Sequence, residues 1–176
     1  VMGYVALILA CPRMLRLKER RQELTFALAG LCGVCMYYLL ENIALTFTLA
    51  SNVGVIISIA PFFTAILNCL FLGGSRPGKR FFTGFLLAMA GICFISFGSS
   101  AALSINPVGD VLAVAAAVIW AVYSTLTKKI SALGYGTIQT TRRTFFYGIL
   151  FMVPAILIMD FHVTLDRIIN PLNLCN

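Results

Sequence analysis

A single carboxylate, Glu41, stands inside a long apolar run of this chain, in the stretch YYLLENIALTFTLASNVGVIISIAP at 37–61. Tyr37 and Tyr38 precede it by four and three residues, so all three share a face if the stretch is helical. A carboxylate in a lipid-embedded helix is costly unless protein or water surrounds it. It can carry a proton, pair with a cationic substrate, stay hydrated near the outer surface, or bond a neighbouring helix. Pro61 sits mid-way along the next apolar run, where it removes a helix hydrogen bond and can kink the chain. Such a kink serves packing, or opens a cavity for a ligand. Trp120 and Tyr123, with Ser124 and Thr127, are expected on one face of a later helix, either as an aromatic wall for an organic substrate or as tight packing. Asn42, Thr64 and Asn68 are expected to make hydrogen bonds between helices. The candidate binding set is therefore Glu41, Tyr37, Tyr38, Pro61, Trp120 and Tyr123.

Other chemistries find no support in the residues. The chain has six cysteines and one histidine, His162. Cys32 and Cys35 form a CxxC within an apolar run, far in sequence from that histidine, whereas a structural zinc site needs four ligands. These cysteines read as small apolar fillers. No nucleophile–base–orienter set and no phosphate-binding loop is present, so the sequence points to no enzyme and no cofactor.

The elements that must position these residues follow from composition. Of 176 residues, 60% are hydrophobic and 11% charged, against roughly 25% charged in soluble domains. The chain reads as an all-α polytopic membrane helix bundle. Apolar runs at 24–47, 50–72, 81–99, 110–130 and up to about 159 are each long enough to cross a bilayer, which takes about 20 helical residues. Gly84, Ala88 and Gly91 share a face of the third run and are expected to pack against another helix. The opening run, Val1–Cys11, covers only ~16 Å as a helix and is expected to be the cut end of a span, which makes the chain a fragment. The net charge of +7 comes in short clusters between apolar runs, an arrangement that excludes nucleic acid and suits contact with anionic lipid. If the helices alternate, the loops at 12–23, 73–80 and 128–143 share one side and hold every Lys and Arg of the 13 except Arg167. Positive charge marks that side as cytoplasmic.

Three segments carry a family resemblance: ENIALTFTLASNVGVIISIAPFFTAILNCLFL, GKRFFTGFLLAMAGICFISFG and NPVGDVLAVAAAVIWAVYSTLTKKI. In order and spacing they resemble the third to sixth helices of EamA transporters in the drug/metabolite transporter superfamily. The resemblance implies a ten-helix fold of two inverted five-helix repeats. Residues 1–100 would be the later part of the first repeat and 101–176 the start of the second. It also implies a secondary transporter in a bacterial inner membrane, exporting small organic metabolites such as amino acids or drugs. Proton coupling is a candidate, and the fourth helix, with Pro61, would line a central cavity. Ser75 stands where many members carry a glutamate, which puts any ion pair made by that glutamate in doubt here. The alternative from the residues alone is a membrane scaffold whose buried polar groups serve packing.

The charge pattern makes a direct prediction. In the full-length protein, impermeant thiol reagents should label a cysteine at position 79 only from the cytoplasmic side, and cysteines at 101–108 only from outside. Labelling of position 79 from outside would overturn the layout.

Overall fold

The computed structural model describes residues 7–9, 20–98 and 106–158. The expectations for the opening run, the basic stretch before Arg20, the 99–105 loop, His162 and Arg167 lie outside the described residues. Within them the chain forms five long helices: α1 (Arg20–Phe47), α2 (Ala50–Leu72), α3 (Lys79–Gly98), α4 (Pro107–Ser131) and α5 (Thr137–Ile158). Among the described residues, α1, α2 and α4 are long and apolar enough to cross a membrane. At 20 and 22 residues, α3 and α5 have comparable length.

Two local irregularities shape the bundle. The first is a π-helical turn, Leu31–Met36, in the middle of α1. A π turn holds more residues per turn than an α turn and often marks a functional site. The second is a break in α2. The helix runs from Ala50 to Ile57, pauses at Ser58–Ile59 and resumes at Ala60 with Pro61 in its first turn. Pro61 has no N–H to give to the preceding turn. The chain answers by switching register: Ile59 N donates to Ile56 O (3.1 Å) and Phe62 N to Ile59 O (2.9 Å). The kink expected from the proline is thus an interruption of the hydrogen-bond ladder. Ser58 Oγ adds a second bond to the carbonyl that its own N–H already uses, donating to Gly54 O at 2.6 Å beside Ser58 N at 3.1 Å.

The α1–α2 connection is only Thr48–Leu49, both extended. Asn52 Nδ2 donates to Thr48 Oγ1 at 3.2 Å and closes the turn. The start of α4 rests against it. Asn106 caps that start, its Oδ1 accepting from Val108 N (3.2 Å) and Gly109 N (3.4 Å). Pro107 at the first helical position costs nothing, because its missing N–H has no partner in a first turn. A Cβ on Gly109 would lie 2.9 Å from the Thr48 side chain, so only glycine permits this approach.

α4 is the central post, with α1 and α2 packed on it, while α5 packs chiefly on α1. Ala113, Ala116, Ala117 and Ala121 on α4 are wholly buried, as are Ala29 and Ala44 on α1. α1 meets α5 at two glycines: a Cβ on Gly30 would lie 2.6 Å from Thr144 O, and one on Gly148 would lie 2.4 Å from Val34 Cβ. A Cβ on Gly33, in the π turn, would strike the Tyr123 ring at 2.3 Å. The alanine-rich start of α4 is the packing surface its composition suggests.

Three expectations need correction. Among the described residues the small-residue face of α3 meets no other helix: a Cβ at Gly84 or Gly91 would find nothing within 4 Å. Phenylalanines bind α3 to α2 instead, with Phe62 5.8 Å from Phe85 and 6.3 Å from Phe82 between ring centres. Arg142 and Arg143 are not in a loop, because α5 begins at Thr137. The loop after α4 is therefore short, and it turns through Gly134 at φ 73°. Finally, Asn42 and Thr64 bond their own helix rather than a neighbour, Asn42 Nδ2 to Tyr38 O (2.7 Å) and Thr64 Oγ1 to Ala60 O (2.9 Å).

The glycine contacts predict a contrast. In the full-length protein, Gly30→Ala and Gly33→Ala should each destabilise by ~1–3 kcal/mol, the usual cost of overpacking. Gly84→Ala should be silent. Thermal unfolding in detergent checks both, and equal behaviour of the three variants would refute the packing described.

Candidate functional site

The break in α2 faces α4 across an open cleft of about 390 Å³, lined by Pro61, Thr64, Ala65, Asn68, Phe81, Trp120 and Ser124. This size suits a small organic molecule. The cleft lies between the second half of α2, which starts at the interruption with Ala60 buried, and α4. Its polar groups include both donors and acceptors: the Trp120 indole, the Asn68 amide and the Ser124 hydroxyl can each donate. The Thr64 hydroxyl gives its proton to Ala60 O, so its lone pairs remain. Asn68 Oδ1 is buried and has no hydrogen-bond partner among the described residues. A buried acceptor in that condition carries the full cost of its desolvation until a donor arrives.

The structure brings five of the six candidate residues into one run and sets the sixth at the cleft edge. Tyr38 meets Tyr37 (5.3 Å between ring centres), Tyr37 meets Trp120 (4.8 Å), and Trp120 meets Tyr123 (5.3 Å). The Tyr37 side chain interacts with Glu41, one helical turn further along α1. Trp120 is the shared member: it touches Tyr37 and lines the cleft with Pro61. Glu41 itself is half-buried and outside the cleft lining.

Tyr123 departs from the expected single face. Trp120 and Ser124 line the cleft beside Pro61, whereas Tyr123 and Thr127 line a separate pocket of about 120 Å³ toward α5. The reason is angular. At about 100° per residue, positions four apart fall ~40° to one side and positions three apart ~60° to the other. The four residues thus divide into two stripes. The Tyr123 ring covers Gly33 and separates the two spaces.

A second polar constellation was not anticipated from the sequence. Arg143 Nη2 donates to both oxygens of Glu23, at 2.7 and 2.6 Å, and the Tyr147 hydroxyl donates to the same carboxylate. Tyr135 Oη donates to Gln22 Oε1 at 2.7 Å. These bonds join the start of α1 to the start of α5 and to the α4–α5 connection. Eight hydroxyl-bearing residues line the adjoining small pocket: Tyr123, Thr127, Ser131, Tyr135, Thr137, Thr140, Thr141 and Thr144. One signal was available: Arg143 and Tyr147 stand at i, i+4 on α5.

Comparison with known proteins gives a consistent result. The EamA-like transporter family matches residues 1–97. An uncharacterized transporter of Archaeoglobus fulgidus is 31% identical over 140 residues, covering 78% of this chain and 47% of the relative. Another uncharacterized transporter, from Bacillus subtilis, is 28% identical over 130 residues, covering 72% of this chain and 41% of the relative. The chain spans about half the length of these curated relatives. No solved structure matches it.

The Glu23–Arg143 pair should hold α1 on α5. Its Glu23 side chain is 36% exposed, so water screens part of the attraction. A double-mutant cycle of Glu23→Gln and Arg143→Gln in the full-length protein should give a coupling of about 1 kcal/mol. Strict additivity of the two variants would refute the clamp.

Proposed function

We propose that this chain, which belongs to the EamA-like transporter family, is part of a secondary active transporter in a bacterial inner membrane. In this reading it exports small organic metabolites such as amino acids or drugs. The helices α1–α3 lie in a first five-helix repeat (1–100) and α4–α5 open a second, inverted repeat (101–176). Substrate binds between the repeats, beside the interrupted helix. Carriers of this kind place their sites where broken helices meet the opposite repeat near the midplane.

One observation carries the proposal: the Pro61 interruption of α2 opens onto the cleft that Trp120 of α4 shares. Non-helical backbone at membrane depth is tolerated where protein buries it or water reaches it. A purely structural scaffold has no use for such a space, and tight packing there would have favoured that alternative. Trp120 and Tyr37 supply an aromatic wall, and Glu41 supplies the site's carboxylate, available to a coupling proton or to a substrate's charge. The clustered cations Arg20, Arg21, Arg76, Lys79, Arg80, Lys128 and Lys129 sit at helix ends or links. This distribution agrees with a cytoplasmic face in contact with anionic lipid.

The test is transport by the full-length protein in proteoliposomes, with an imposed proton gradient and a panel of labelled amino acids and small drugs. Pro61→Ala restores a ladder hydrogen bond and should straighten α2. Trp120→Ala removes the wall. Each should lower the rate for the transported compound by about tenfold or more, equivalent to ~1.4 kcal/mol of lost stabilisation, with insertion unchanged. Wild-type rates in both variants would remove the cleft from the pathway.

A further inference from the structure

We propose that the compound taken at this cleft is an organic cation, its positive charge held near Glu41 and its apolar body against the rings of Tyr37 and Trp120. The proposal rests on the carrier reading and adds the substrate's chemical class.

The argument begins with the distribution of charge. Among the described residues the acidic side chains are Glu23, Glu41 and Asp110. Glu23 is matched by Arg143. Asp110 lies in the first turn of α4, where the helix dipole favours negative charge. Glu41 has neither kind of support. It lies ~27 Å along α1 from Glu23, and the described cations all belong to the opposite ends of the helices. No ion pair to Glu41 exists among the described residues. A half-buried carboxylate whose near neighbour is a tyrosine is suited to pair with a cation, and the described residues supply none.

The surroundings of Glu41 suit such a guest. The Tyr37 side chain faces the carboxylate, and the Tyr37 ring is tilted by 52° against Trp120 at 4.8 Å. Trp120 is 37% exposed and Tyr38 45% exposed, so aromatic surface remains uncovered on both sides of the Tyr37 ring. Faces of Trp and Tyr attract cations, including quaternary ammonium groups, through the ring quadrupole. The cleft beyond Trp120 adds neutral polar groups, among them the acceptor Asn68 Oδ1 and the lone pairs of Thr64 Oγ1. Among the described residues no cationic side chain lines it. A carboxylate beside uncovered ring faces favours a positively charged molecule and disfavours an anion.

Benzyltrimethylammonium, N-benzylacetamide and phenylacetate, similar in size but cationic, neutral and anionic, test the inference by calorimetric binding to purified full-length protein. The cation should bind at least about tenfold more tightly than the other two. Glu41→Gln should erase that preference, and Glu41→Asp should keep part of it, which separates loss of charge from loss of fold. Trp120→Phe should retain binding of the cation and Trp120→Leu should weaken it. Equal or tighter binding of N-benzylacetamide or phenylacetate, an unchanged preference in Glu41→Gln, or no binding of benzyltrimethylammonium would overturn the cationic class. Transport of a neutral or anionic compound that remains sensitive to Pro61→Ala and Trp120→Ala would leave the carrier reading standing while this one falls.

Discussion

Close approach of α1 and α2 to α4 is the constraint on which the rest of this structure depends. In lipid there is no hydrophobic force to drive helices together, so packing and polar bonds must do so, and small residues let backbones come near. Ala113, Ala116, Ala117 and Ala121 are buried on α4, and Ala113 packs with Ala44 of α1 and Val53 of α2. Both halves of α2 pack on α4, and the break at Ser58–Ile59 changes the hydrogen-bond register between them. The cleft is what remains between the second half and the larger side chains Trp120 and Ser124.

Polarity along the helices is segregated in the same way. One end holds the cationic clusters and the Glu23–Arg143–Tyr147 bonds. That end is locked by direct α1–α5 contact at Gly30 and Gly148. The middle holds rings and a proline break, and beyond it on α1 stands Glu41, without a matched cation among the described residues. A carrier needs both a rigid joint and a space that a ligand can complete, and here the two lie on opposite sides of α4. Tyr123, seated on Gly33 in the π turn, forms the partition.

Much of this was legible in the sequence because it rests on local chemistry. Apolar runs fix helix extents to within a few residues, and Pro61 reads as a disturbance of its helix, whereas α4 starts at Pro107 under its Asn106 cap, three residues before the apolar run suggests. What the sequence did not convey depends on partners far away along the chain. The Glu23–Arg143 bond joins residues 120 positions apart. The π turn brings Gly33 under the ring of Tyr123, a juxtaposition invisible in LCGVCM alone. The small-residue face of α3 has the composition of a packing surface, yet its orientation is set by the phenylalanines that hold its other side to α2. The division of Trp120 from Tyr123 could have been computed from helix geometry, since a spacing of three and a spacing of four lean to opposite sides. Matching relatives are named only as transporters, so the family assignment leaves the substrate to be argued from the site.

The central claim is that the space between the broken helix and Trp120 is the ligand's place. It is tested most directly by cysteine accessibility along α4 in the full-length protein, with its native cysteines replaced by serine. Water-soluble thiol reagents should modify Trp120→Cys and Ser124→Cys rapidly and Ala117→Cys and Ala121→Cys hardly at all, and a transported compound should protect the first pair. Faster modification at 117 and 121, or no protection at 120 and 124 by a compound the protein transports, would contradict the account.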